Sequence, residues 1–354
     1  MTIASAMVDG DLMPRLTWST FLTSWHVSRG WLLGTALIGA AYAALRLSAR
    51  GRSTVRGWRV AAFLLGCLLL WGSVSSGIGG YAMSLFWMHM VLHLLLIMVV
   101  PALLVLGHPI TVAVEALHER HQRGARRVLR SGPVGVATHP LTGLLVYTSV
   151  IIGTHLTGFM DRMAMHASLM TGEQVLYVAA GFLFLLPLLG EEPLRRNHAY
   201  AVRLVVLLVA MVPDTLVGIV LLQTQEDPFP EMMAHHSQWA PPPVSDVNIA
   251  GGLMWAGGDG LMMLIAVGLM LSVVTSPRRR ELVTGPWLES VRRRVIAADL
   301  DDTSAAIDSV TLDPDSDEAL VAYNRMLRRL DAAGDEHGRG RPTVGQPASD
   351  ARDA

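Results

Sequence analysis

Long apolar blocks alternate with short, arginine-bearing polar stretches along most of this chain. A helix needs about 20 apolar residues to cross a bilayer core. Seven blocks predict such a crossing: roughly Trp31–Leu47, Val60–Ser76, Leu85–Leu106, Leu141–Gly158, Gln174–Leu189, Ala201–Leu222 and Ile249–Val274. The expected fold is therefore all-α, a polytopic membrane protein with seven transmembrane helices.

The polar stretches orient the bundle. Arg46, Arg50, Arg52, Arg56 and Arg59 follow the first block, and Arg120, Arg123, Arg126, Arg127 and Arg130 the third. Arg195, Arg196 and Arg203 mark the exit of the fifth, and Arg278, Arg279 and Arg280 that of the seventh. The alternate stretches are nearly free of arginine, and the one before the seventh block carries Glu226, Asp227, Glu231 and Asp246. The positive-inside rule then predicts an outer N-terminus and a cytoplasmic C-terminus. The expected organisation is an extracytoplasmic segment 1–30, a transmembrane domain 31–276, a helical cytoplasmic tail 277–333 and a disordered end 334–354. Two helices are expected in the tail, at Trp287–Ala298 and Asp317–Leu330.

Composition agrees. The chain is 51% hydrophobic and 16% charged, where a soluble protein carries about a quarter charged residues. Every basic residue is arginine, but the arginines flank apolar spans, so they report topology rather than nucleic-acid binding. A single cysteine, Cys67, rules out an intrachain disulfide and any CxxC motif. The acidic N-terminus lacks the basic start of a cleaved signal peptide.

With orientation assigned, the polar residues sort by depth. "WMHMVLHLLLIMVVPALLVLG" places His89 and His93 in the outer half of the third span. Four residues of α-helix turn about 400°, so the two imidazoles share one face, as two ligands of one metal would. The fourth span ends near His155, and the sixth carries Asp214 beyond its middle. Glu173 stands at the outer start of the fifth, Asp246 at that of the seventh, and Asp259 deeper. The outer loops add His166 among Met160, Met163, Met165 and Met170, and His235 and His236 after Met232 and Met233. Thioether and imidazole donors together suit Cu(I), and imidazole alone Cu(II) or zinc, whereas no carboxylate cluster suits calcium or magnesium. Polar groups at membrane depth default to function. His108 and His139 precede prolines and are expected to shape helix ends, and Pro101 and Pro213 to bend their spans. From the residues alone, metal handling, a haem-binding redox protein and a copper or proton transporter all remain open. No triad, phosphate loop or acid/base pair predicts an enzyme.

"HMVLHLLLIMVVPALLVLGHP" (His89–Pro109) resembles the signature of the CtaG-type cytochrome c oxidase assembly family. "ATHPLTGLLVY" (Ala137–Tyr147), "GFLFLLPLLGEEPL" (Gly181–Leu194) and "DVNIAGGLMWAGGD" (Asp246–Asp259) resemble further family elements in the same order. The resemblance covers most of Arg15–Leu330. It implies a non-enzymatic factor in a bacterial plasma membrane that helps form the copper centres of the respiratory haem–copper oxidase. Its implied partners are an oxidase subunit, the lipid bilayer and an extracytoplasmic copper donor. His89 and His93 match the family's histidine pair, Asp246 its acidic entry to span seven and Met254 the methionine after it. Gln174 stands where many relatives place a histidine, and Asp214 near another such position. The candidate copper ligands are thus His89, His93, His155, His166, Asp214, Asp246, Met254, His235 and His236.

Overall fold

A computed structural model describes residues 13–275 apart from positions 50, 191, 195–197 and 235. All regular structure among the described residues is helical. A short α1 (Trp18–Thr23) starts at Thr17, whose side chain accepts from the Thr20 amide in a capping box. The first apolar block forms α2 (Arg29–Ser48) and the second α3 (Gly57–Ser75), which continues into α4 (Gly77–Tyr81). The third is a segmented rod: α5 (Phe86–Leu94), a π-helical turn (Leu95–Val99), α6 (Val100–Leu106) and α7 (Pro109–Ala116). Then come α8 (Glu119–Leu129), which buries no residue, and α9 (Gly132–Ala137). The fourth block is α10 (Pro140–His155), followed by α11 (Phe159–Met165). The last elements are α12 (Ala167–Leu189), α13 (Tyr200–Leu222), α14 (Pro230–Met233) and α15 (Pro243–Val274).

Six segments are long and apolar enough to cross a membrane, and α10 with α11 makes a seventh if that bent pair counts as one span. The expected straight run Leu141–Gly158 is instead broken, with α11 leaving α10 at 69°. Thr157 supplies a physical reason. Its hydroxyl donates to the Gly153 carbonyl at 2.6 Å and accepts from the Phe159 amide at 3.3 Å, a local side-chain alternative to the helical ladder. The fifth span begins at Ala167 rather than Gln174, so Glu173 lies inside a helix and is buried. The expected tail helices and disordered end lie outside the described residues.

Pro101 cannot donate to the Ile97 carbonyl, and the π-helical turn that contains Ile97 ends two residues before it. Gly181 of α12 packs against that carbonyl, where an added Cβ would sit 1.9 Å from the Ile97 oxygen. Glycine there lets α12 press against the rod that carries the histidine pair. Gly251 does the same between α13 and α15, with an added Cβ 2.4 Å from the Leu222 nitrogen. Pro213 lies inside α13, whose helix runs on through it. At the helix ends, the His139 side chain accepts from the Leu141 amide at 3.2 Å, and His108 takes a left-handed φ of 51° ahead of Pro109. Both histidines shape helix starts, as their prolines predict.

Candidate metal centre

The start of α5 is held from another helix. Asp246, fully buried near the start of α15, accepts from the Phe86 amide at 2.8 Å and the Trp87 amide at 3.0 Å. A carboxylate there satisfies two unpaired helix donors and complements the positive end of the dipole. It also receives His236, Nε2 to Oδ2 at 3.0 Å. One turn further along, His89 and His93 stand one above the other, ring centroids 4.2 Å apart.

The surface facing them is α12. Glu173 Oε2 lies 3.6 Å from His89 Nε2 and 3.4 Å from His93 Nε2. One ligand atom from each of these three residues falls within 4.8 Å of the others, and all three side chains are buried. Four ring nitrogens of the two histidines and Oε1 of Glu173 make no hydrogen bond. Each unpaired buried polar group costs about 1–3 kcal/mol, and here two imidazoles, each with one N–H and one lone pair when neutral, have only the Glu173 carboxylate beside them. Two imidazoles and a carboxylate form a donor set suited to copper or zinc. On donor type, spacing and unmet hydrogen-bonding capacity, the residues present fit a metal ion.

A polar shell adjoins this group. Tyr177 lies 4.2 Å from the His93 ring, centroid to centroid, and its hydroxyl is 2.7 Å from that of Thr154. His155 closes the last turn of α10, its ring 5.3 Å from that of His93 and its Nε2 3.3 Å from Met90 Sδ. Gln174, next to Glu173, accepts instead from the Trp31 indole at 2.9 Å.

The remaining sequence candidates lie elsewhere. Asp214 is buried and accepts from the Tyr147 hydroxyl at 2.6 Å, and the neighbouring Thr215 donates to Asp259 at 2.8 Å. Asp246 and His236 pair with one another at the foot of α5. Met254 is packed in the apolar core, as are Met160, Met163, Met232 and Met233. His166 is exposed, with Nδ1 3.0 Å from the Arg162 carbonyl. His235 lies outside the described residues. Among the described residues, the three-ligand group therefore unites His89 and His93 with Glu173, a residue absent from the candidate ligands above. Its only signal in the sequence is a carboxylate beside an apolar span. Met90 likewise carries no signal in the sequence, since a methionine in an apolar helix reads as packing.

The family model described as cytochrome c oxidase caa3 assembly factor matches residues 40–276. An uncharacterized protein of Mycobacterium leprae is 26% identical over 322 residues, covering 88% of this chain and 45% of its own length. An uncharacterized protein of Mycobacterium bovis is 27% identical over 323 residues, covering 87% of this chain and 45% of its own. The chain thus spans about half the length of the curated relatives it matches. No solved structure matches it.

Proposed function

The chain belongs to the cytochrome c oxidase caa3 assembly factor family, and from that premise we propose that it binds copper and delivers it to an oxidase subunit. The copper site is His89, His93 and Glu173, on the extracytoplasmic side of the membrane. The observation that carries this reading is the buried three-ligand group with its unsatisfied donor atoms. Asp246 holds the start of the helix on which the two histidines stand, and α12 brings the carboxylate to them. Three protein donors leave room for a ligand from a docked partner, which handover requires. The role is binding and transfer rather than catalysis. The mycobacterial relatives point to a multi-pass protein of a bacterial membrane.

The test compares copper content of the purified full-length protein with that of a His89→Ala/His93→Ala variant, alongside oxidase activity in membranes carrying each. Near-stoichiometric copper in the wild type, lost in the variant together with oxidase activity, supports the reading. Equal copper in both proteins overturns it. A strong Soret band in the purified protein, removed by the same substitutions, would favour haem binding instead.

A further inference from the structure

His155 and Met90 sit beside the three-ligand group in an arrangement their own hydrogen bonding leaves in conflict. His155 Nδ1 lies 2.9 Å from the Ile151 carbonyl oxygen. A carbonyl only accepts, so Nδ1 carries the hydrogen in that contact. The Thr154 hydroxyl, 3.0 Å from the same nitrogen, 2.8 Å from the Val150 carbonyl and 2.7 Å from the Tyr177 hydroxyl, has one hydrogen to share among them and leaves the Ile151 contact to Nδ1–H. A neutral imidazole protonated on Nδ1 presents a lone pair at Nε2. What faces that lone pair at 3.3 Å is the thioether sulfur of Met90, which has only lone pairs to offer. Both side chains are buried, at 2% and 1% exposure, so water does not separate them. Moving the hydrogen to Nε2 only transfers the conflict to the Ile151 carbonyl.

A soft cation between the two atoms resolves it. Zinc-type bond lengths of about 2.0 Å to nitrogen and 2.3 Å to sulfur give a tetrahedral N–S edge of about 3.5 Å, close to the observed 3.3 Å. A nitrogen and thioether pair is softer than two imidazoles and a carboxylate, and thioethers select Cu(I). We propose that His155 Nε2 and Met90 Sδ form a second, soft metal position selective for Cu(I), beside the His89/His93/Glu173 group. The proposal rests on the copper reading above and adds an oxidation-state preference to it. The neighbouring helix positions of His89, Met90 and His93 put the hard and soft positions side by side on α5.

The test uses the full-length protein in detergent micelles, titrated anaerobically with Cu(I) against a Cu(I) chelator and separately with Ag(I), a redox-inert soft ion. Met90→Leu keeps side-chain volume and removes the sulfur. The expected result is at least a tenfold loss of Cu(I) and Ag(I) affinity, with Cu(II) binding unchanged. X-ray absorption of the Cu(I)-loaded wild type should show a sulfur neighbour that Met90→Leu lacks. Unchanged Cu(I) affinity in Met90→Leu, or no sulfur around Cu(I) in the wild type, overturns the second position while Cu(II) binding keeps the first intact. A wild type that binds copper in neither oxidation state overturns both.

Discussion

Asp246 and Glu173 are both buried carboxylates near an end of an apolar helix, and they meet opposite surroundings. Asp246 accepts from two backbone amides and pairs with His236. Glu173 meets two imidazole nitrogens at 3.4 and 3.6 Å, and its Oε1 has no donor. The first carboxylate completes a helix end. The second completes a ligand set, and its contacts to the rest of the fold are the two imidazoles themselves. The difference teaches that burial of a charge does not by itself mark a site; what marks it is a partner set of metal-ligating side chains that hydrogen bonds leave incomplete.

The largest expected effect breaks the comparison on the side of Glu173. Glu173→Gln removes an anionic ligand and keeps the shape, and copper affinity should fall at least 100-fold, beyond the 10–100-fold usual for an outer partner of a metal site. Competition titration of purified protein measures it. Affinity within threefold of wild type would remove Glu173 from the site.

Asp246→Ala should act on the other side. It leaves two amides of α5 and His236 without their acceptor, a loss of about 2–4 kcal/mol in stability. Thermal unfolding followed by tryptophan fluorescence reads this. Copper affinity per folded molecule should fall less than in Glu173→Gln, because the histidines and Glu173 remain.

The span pattern was legible because bilayer thickness imposes a length on apolar runs, and α2, α3, α13 and α15 follow it closely. The break after His155 was not, because hydropathy does not register the Thr157 hydroxyl that ends α10. The histidine pair was legible for the same reason that its partner was hidden. Spacing along one helix determines which side chains share a face, so His89 and His93 declare each other. Glu173 reaches them only through the packing of α12 on the α5–α6 rod, which depends in part on Gly181 and the Ile97 carbonyl. Asp246 shows the converse limit. Its partners are backbone amides of Phe86 and Trp87, and any residue at those positions would supply them, so no side-chain motif records the contact.

Stability should separate the two carboxylates in size as well. In metal-free protein, Glu173→Gln removes a carboxylate that meets two imidazoles at 3.4 and 3.6 Å rather than backbone amides, and should lower stability by about 1 kcal/mol or less, read as a small fall in unfolding temperature. Copper at 100 times its Kd should add about 2.7 kcal/mol to the wild type and nearly nothing to the variant at the same concentration. A metal-free Glu173→Gln protein destabilised as much as Asp246→Ala would mean that Glu173, like Asp246, holds the fold together.

Glu192 sharpens the contrast from a third position, in the segment between α12 and α13. It accepts from the Ile110 amide at 3.2 Å and the Thr111 amide at 2.7 Å at the start of α7, so its partners resemble those of Asp246. Burial nonetheless raises its pKa above the ordinary 4.5, and its bonds to Thr111 and Ile110 and the nearby Arg59 charge offset only part of that. An acid whose folded pKa exceeds its unfolded value binds its proton more tightly in the fold. Its contribution to stability is therefore greatest below 4.5 and declines as pH rises through the folded value. Glu192→Gln does not titrate. The stability of wild type minus that of Glu192→Gln should fall modestly as pH rises from 4.5, measured by thermal unfolding in one detergent at constant ionic strength. A difference that rises instead would mean that the amides of α7 outweigh desolvation, and that Glu192 is as fully satisfied as Asp246.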